Sequence, residues 1–174
     1  MFFLGWCSTL LWMPRLGDVY GRKPVVFYDN FVNLALYLGI YLAPNIYVLQ
    51  AILFAWGFFS SIRCNVGILY IMEMVPSDWQ SFIGTLWNCL EGLINLFATF
   101  WFMFVSTHWE GFLSIGLMLQ IFSTATVFVL PESPIYLLKS KRHNELKEAL
   151  KTIGSWNGTA LDWDALEFDD GNAQ

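Results

Sequence analysis

The sequence predicts an all-α protein, a polytopic transmembrane helix bundle. Three observations carry that expectation. First, 56% of the 174 residues are hydrophobic and 18% aromatic, while only 13% are charged, about half the charged share of an ordinary soluble domain. Second, long apolar runs recur between short polar breaks, as expected of helices crossing ~30 Å of hydrocarbon. Third, the charges are segregated: residues 1–131 hold four basic and six acidic residues, and the other 13 charges crowd into residues 132–174. This pattern excludes a disordered chain and argues against a water-soluble globule. A net charge of -5 without a basic patch of the needed size argues against a nucleic-acid partner.

Five apolar runs define the body, residues 1–130. The first, Met1–Met13, is closed by Pro14-Arg15 and gives only ~20 Å of helix, too short to span. It lacks the basic n-region of a signal peptide, so it reads as the lower part of a truncated spanning helix. The second is Pro24–Ala43, closed by Pro44-Asn45. The third is Ile46–Met74, closed by Pro76-Ser77-Asp78. The fourth is Phe82–Val105, closed by Ser106 to Glu110. The fifth is Gly111–Leu130, closed by Pro131. The last four are each long enough to cross a bilayer.

Basic residues set the expected orientation. The Pro14–Pro24 connection carries Arg15, Arg22 and Lys23, and the segment after Leu130 carries Lys139, Lys141, Arg142, Lys147 and Lys151. The Pro44 turn and the Ser106–Glu110 turn carry none. The basic connections and the carboxyl-terminal tail are therefore expected on the cytoplasmic side of a plasma or organelle membrane. Residues 131–158 read as cytoplasmic amphipathic helices. Leu146, Ala149, Leu150 and Ile153 recur at helical spacing, on a Lys-rich segment suited to an anionic membrane surface. Residues 159–174 read as an acidic, flexible tail. The Asn157-Gly158-Thr159 sequon would go unused on that side.

No reactive constellation is present, so no catalytic role, cofactor or metal is expected. Cys7, Cys64 and Cys89 lack metal or redox spacing and read as buried small hydrophobes. Ionisable residues within the spans stand out, because a charge facing lipid costs several kcal/mol. Arg63 and Glu91 lie at similar depth on consecutive, antiparallel runs. They read as a pair, either coupling a solute or proton or closing a static interior salt bridge. Asn88, Glu91, Asn95 and Thr99 fall on one face of the fourth run, and Asn30, Asn33, Tyr37 and Tyr41 on one face of the second. Two polar stripes suggest a wet interior cavity, with interhelical hydrogen bonding as the alternative.

Three junctions carry a family resemblance. Leu16-Gly17-Asp18-Val19-Tyr20-Gly21-Arg22-Lys23-Pro24 resembles the loop signature G-x-L-x-D-R-x-G-R-R of the major facilitator superfamily. Tyr70-x-x-Glu73-x-x-Pro76 resembles the Y-x-x-E-x-x-P-x-x-x-R of its sugar and organic-ion transporter branch. Pro131-Glu132-Ser133-Pro134-Ile135-Tyr136-Leu137-Leu138 resembles that branch's P-E-S-P-R-W-L-L.

The resemblance implies an incomplete amino-terminal half of a major facilitator fold, holding the second to sixth of twelve helices. It implies secondary transport of a small organic solute, a sugar or organic ion, by alternating access. The partners would be the lipid bilayer, the solute once the missing helices complete the site, and a complementary transporter half. It also implies a cytoplasmic gate network of Asp18, Gly21, Arg22, Lys23, Tyr70, Glu73, Pro76 and Glu132.

The departures share a theme. Pro14 replaces a glycine, and Val19, Gln80 and Ile135 stand where the family carries Arg, which thins the cationic side of the gate. Leu53 occupies the branch's usual fourth-helix Arg position, so Arg63 inherits no family role. The rival expectation is a non-transporting membrane subunit with a structural or assembly role.

Overall fold

The computed structural model describes residues 1–10 and 14–158. The described residues form α1 (Phe2–Thr9), α2 (Pro14–Tyr20), α3 (Arg22–Leu42), α4 (Ile46–Met74), α5 (Ser77–Val105), α6 (Trp109–Val129), α7 (Pro134–Lys139) and α8 (His143–Trp156). Helices α3 to α6 are long and apolar enough to cross a membrane. The fold is all-α and polytopic. Residues 11–13 and the acidic end, residues 159–174, lie outside the described residues.

Two boundaries differ from the expectation. The stretch after Pro14, read as a connection, is mostly helix α2, and the turn into α3 is left to Gly21, at φ 101°. Proline is tolerated in a first helical turn, where its missing N–H has no intrahelical partner to lose. Helix α5 begins at Ser77, directly after Pro76, rather than at Phe82. Its first turn carries Asp78, a carboxylate favoured at the positive end of a helix. Both differences arise because polar residues were read as loop where they only decorate a helix end.

Other boundaries follow from capping. The Asn45 side chain accepts a hydrogen bond from the Val48 amide at 2.9 Å and starts α4. Ser133 caps α7 by accepting from the Tyr136 amide at 3.2 Å, ahead of Pro134. Two spans contain a π-helical turn, Arg63–Gly67 in α4 and Trp101–Val105 in α5. Such a turn widens the helix and shifts the azimuth of every residue beyond it.

The core lies between α3, α4 and α6, where Val26, Ile62, Val66 and Val127 meet. Helix α1 lies so close to α4 that a Cβ on Gly57 would overlap the Phe2 carbonyl and one on Gly5 the Phe54 carbonyl. That backbone approach is the usual role of small residues between membrane helices. Thr9 and Ser61 hydroxyls add a hydrogen bond across the same contact at 2.5 Å. Helix α5 stands apart and has no buried residue. It touches α4 near its start, where Gln80 Nε2 donates to the Met72 carbonyl at 3.1 Å. Near its end, Phe97, Trp101 and Phe102 surround Phe112 of α6.

Helix α8 buries Leu146 and Ala149 against Tyr136 and Leu137 of α7. Its apolar face, expected at a membrane surface, is thus engaged within the protein. Cys7 and Cys89 are exposed and Cys64 is half-buried, so the thiols are not the buried hydrophobes expected. On a spanning helix an apolar side chain is as well matched to lipid as to a core.

Candidate functional site

The densest polar cluster sits where α2, α3, α4 and the α6–α7 connection converge. Arg22, the first residue of α3, is 4% exposed. Its guanidinium donates through Nε and Nη2 to the two carboxylate oxygens of Glu73, each at 3.1 Å. Nη2 also pairs with Asp18 Oδ1 at 2.8 Å, and Nη1 donates to the Gly17 carbonyl at 2.5 Å. The fork geometry of arginine suits two-point binding of a carboxylate, and burial of both partners strengthens it. Glu73 also accepts from the Ser133 hydroxyl, and the Tyr136 ring lies 5.4 Å from the Arg22 guanidinium carbon.

Glu132 completes the cluster from 110 residues away in sequence. Its Oε1 accepts from the amides of Arg22, Lys23 and Ser133 at 3.0, 2.9 and 3.0 Å. A carboxylate thereby satisfies the free N–H groups at the start of α3 and meets the positive end of its dipole. Gly21 makes this possible, because a Cβ there would lie 2.8 Å from Glu132 Oε2 and its φ favours glycine. Lys23 Nζ donates to the Phe128 carbonyl at 3.3 Å, near the end of α6. Tyr70 donates its hydroxyl to the Pro131 carbonyl. Pro76 sits at the N-cap of α5.

So five of the eight expected gate residues, Asp18, Arg22, Lys23, Glu73 and Glu132, share one network of ion pairs and hydrogen bonds; Tyr70 bonds Pro131 beside Glu132, and Gly21 and Pro76 lie in turns. Where Val19, Gln80 and Ile135 replace Arg, Val19 is 67% exposed and supplies only its carbonyl, to the Tyr136 hydroxyl at 3.3 Å. Gln80 is spent on the Met72 carbonyl.

The expected Arg63–Glu91 pair does not form. Arg63 Nη1 donates to Gln120 Oε1 at 2.7 Å, and Glu91 is exposed on α5. The reason is azimuth: the Arg63 side chain is directed to Gln120 of α6, while Glu91 faces the space between α1, α4 and α5.

The two polar stripes also part company. On α3, Asn33 and Asn30 are buried. Asn33 bonds Asp29 Oδ1 at 2.9 Å and accepts from Ser60 at 3.3 Å, while Asn30 Oδ1 accepts from Gln120 at 3.0 Å. Tyr37 packs edge-on against Trp56 at 5.2 Å, and Tyr41 bonds Glu110 and Ser114 of α6. That stripe binds helices together, and Asn30 also lines, with Arg63 of α4 and Trp87 of α5, a cavity of about 390 Å³ between α3, α4, α5 and α6. On α5, Asn88, Asn95 and Thr99 each donate to the carbonyl four residues back. Glu91 and Asn95 line a separate cavity of about 630 Å³ between α1, α4 and α5.

Asp29, Gln120 and Ser133 were missed. Asp29 carried a signal, since any carboxylate inside a span is a site candidate. Gln120 and Ser133 are ordinary polar residues whose partners only the tertiary fold supplies.

A family profile described as Sugar (and other) transporter matches residues 1–167. The chain belongs to this sugar transporter family of the major facilitator superfamily. It is similar to Monosaccharide-sensing protein 1 of Arabidopsis thaliana, at 30% identity over 146 residues, 79% of this chain and 20% of that protein. It is 24% identical to Sugar transporter ERD6-like 2 of the same plant, over 91% of this chain and 34% of that one. It is also 24% identical to the putative metabolite transport protein YncC of Bacillus subtilis, over 86% of this chain and 33% of that protein. The chain thus spans between 20% and 34% of the length of these three relatives. As a member of the sugar transporter family it is an integral, multi-pass membrane protein.

Proposed function

We propose that the chain forms part of the amino-terminal half of a secondary transporter that moves a small organic solute by alternating access. The observation that carries this reading is the buried Arg22 cluster. One guanidinium ties α2, α3 and α4 together while Glu132 clamps the start of α3 to the α6–α7 connection. In this reading the cluster and helices α7 and α8 face the cytoplasm, and the cluster is one side of a latch. Opening it exchanges buried ion pairs for hydrated ones, a switch between two discrete arrangements. A complementary half supplies the other wall of the solute site, as where two repeats rock about a central site. The missing Arg at 19, 80 and 135 weakens the latch and favours the open state.

The test is the purified chain in sealed vesicles and in detergent, against a panel of labelled sugars and organic ions. Saturable binding without gradient-driven accumulation is the expected result. Saturable accumulation by the chain alone would overturn its reading as part of one half. Neither binding nor accumulation would leave the structural subunit as the function.

A further inference from the structure

Two cavities lie along α5, and among the described residues Trp87 lines both. The first, of about 630 Å³ between α1, α4 and α5, holds Trp6, Cys64, Glu91 and Asn95. The second, of about 390 Å³ between α3, α4, α5 and α6, holds Asn30, Arg63, Tyr70, Ser123 and Thr126. Chain direction orders them. On α5, Glu91 and Asn95 follow Trp87 at helical spacing on one face, leading away from Ser77. On α4, Tyr70 follows Arg63 toward Met74 and the turn at Pro76. The second cavity therefore lies toward the Arg22 cluster and the first lies away from it. At 1.5 Å per residue, Trp87 stands ~15 Å along α5 from Ser77.

We infer that Trp87 is the gate between these two cavities. Helices α4 and α5 touch just before it: Gln80 donates to the Met72 carbonyl at 3.1 Å, and a Cβ on Gly84 would lie 3.1 Å from Met72 Cε. The opposite wall is the π turn Arg63–Gly67 of α4, where consecutive residues face different spaces, Arg63 the second cavity and Cys64 the first. Single π turns recur at functional sites, because they break the regular succession of side chains along a helix. The indole blocks the passage in one staggered rotamer and clears it in another. It also keeps the two mid-span charges apart, with Glu91 in the first cavity and Arg63 in the second. The inference rests on the transporter reading and names the side chain that a solute passes on its way toward the Arg22 cluster.

The experiment is sided thiol labelling of the full chain. Sparse proteoliposomes are captured through a carboxyl-terminal tag, so that α7 and α8 face the bath, and are treated with the membrane-impermeant reagent 2-sulfonatoethyl methanethiosulfonate. Cys7→Ser with Cys89→Ser leaves Cys64, in the first cavity, as the one thiol. Adding Cys64→Ser and Ser123→Cys moves the thiol to the second cavity. With Trp87 in place, the thiol at position 123 reacts and Cys64 reacts slowly. Trp87→Ala speeds Cys64 by about tenfold or more, as when a gate limits access, and leaves the rate at position 123 unchanged, which shows that the fold is kept. Trp87→Phe, which retains a ring, stays nearer the parent than Trp87→Ala does. An equal Cys64 rate in the parent and Trp87→Ala, with position 123 reactive, would overturn the gate and leave the transporter reading standing. No reaction at position 123 in either background would deny the second cavity a path to water and remove both.

Discussion

Arg22 holds more of this protein together than any other side chain in the cluster. Its guanidinium and Glu73 are both buried, at 5% and 8% side-chain exposure, whereas Asp18 is 64% exposed. Removing one partner of a buried pair strands the other, at roughly 3–5 kcal/mol. Arg22→Leu or Glu73→Leu should therefore lower stability by that amount in chemical unfolding from detergent. Asp18→Asn should cost about 1 kcal/mol or less, since an exposed pair contributes little. Arg63 gives a sharper test. A double-mutant cycle between Arg63 and Gln120 should return a coupling of ~1–3 kcal/mol, the range for a hydrogen bond to a charged group. The cycle between Arg63 and Glu91 should be additive within about 0.5 kcal/mol. The sequence placed Arg63 and Glu91 at one depth, but depth along a helix says nothing of azimuth.

At the scale of the element, two contacts set how the helices meet. Gly57 and Gly5 bring α1 against α4 with no room for a side chain. Gly57→Leu should push the helices apart and cost ~1–3 kcal/mol or more by overpacking, read as a lower melting temperature in detergent. Gly21 is the other control point. Gly21→Ala places a Cβ against Glu132 at a positive φ and should cost on the order of 1–3 kcal/mol. Because Glu132 caps α3, that variant should also loosen the connection to α7. Hydrogen exchange at the first amides of α3 would report it, and unchanged protection there would contradict the capping account. The breaks between spans from Ile46 onward were legible because Pro44-Asn45, Pro76 and Pro131 punctuate the chain, but the start of α5, expected at Phe82, lies at Ser77. The π turn at Arg63 was not, since no residue of Arg63–Gly67 demands it.

Over the whole molecule, packing is uneven. Helices α3, α4 and α6 share a buried core, while no whole residue of α5 is buried. Opening free energies follow local packing. In detergent, the α5 amides should exchange faster than those of α3, as measured by hydrogen–deuterium exchange. Equal protection across both helices would show that α5 is held by contacts beyond those seen. The same looseness leaves Glu91 facing a cavity rather than a neighbour.

The sequence by itself determined the class, the spans and the junctions. Each is a local sum: apolar transfer energy accumulates residue by residue until a helix can cross the bilayer, and prolines or capping residues end it. It also carried the ingredients of the Arg22 cluster, because Asp18, Arg22, Glu73 and Glu132 lie at span ends where chain reversal forces proximity. Only the tertiary structure decided the interior pairings. Arg63 turned to Gln120, Asn30 and Asn33 turned inward to bond Gln120, Asp29 and Ser60, and Glu91 was left alone. Those choices depend on helix azimuth and on how far α5 stands from its neighbours, and both are set by packing between segments distant in sequence.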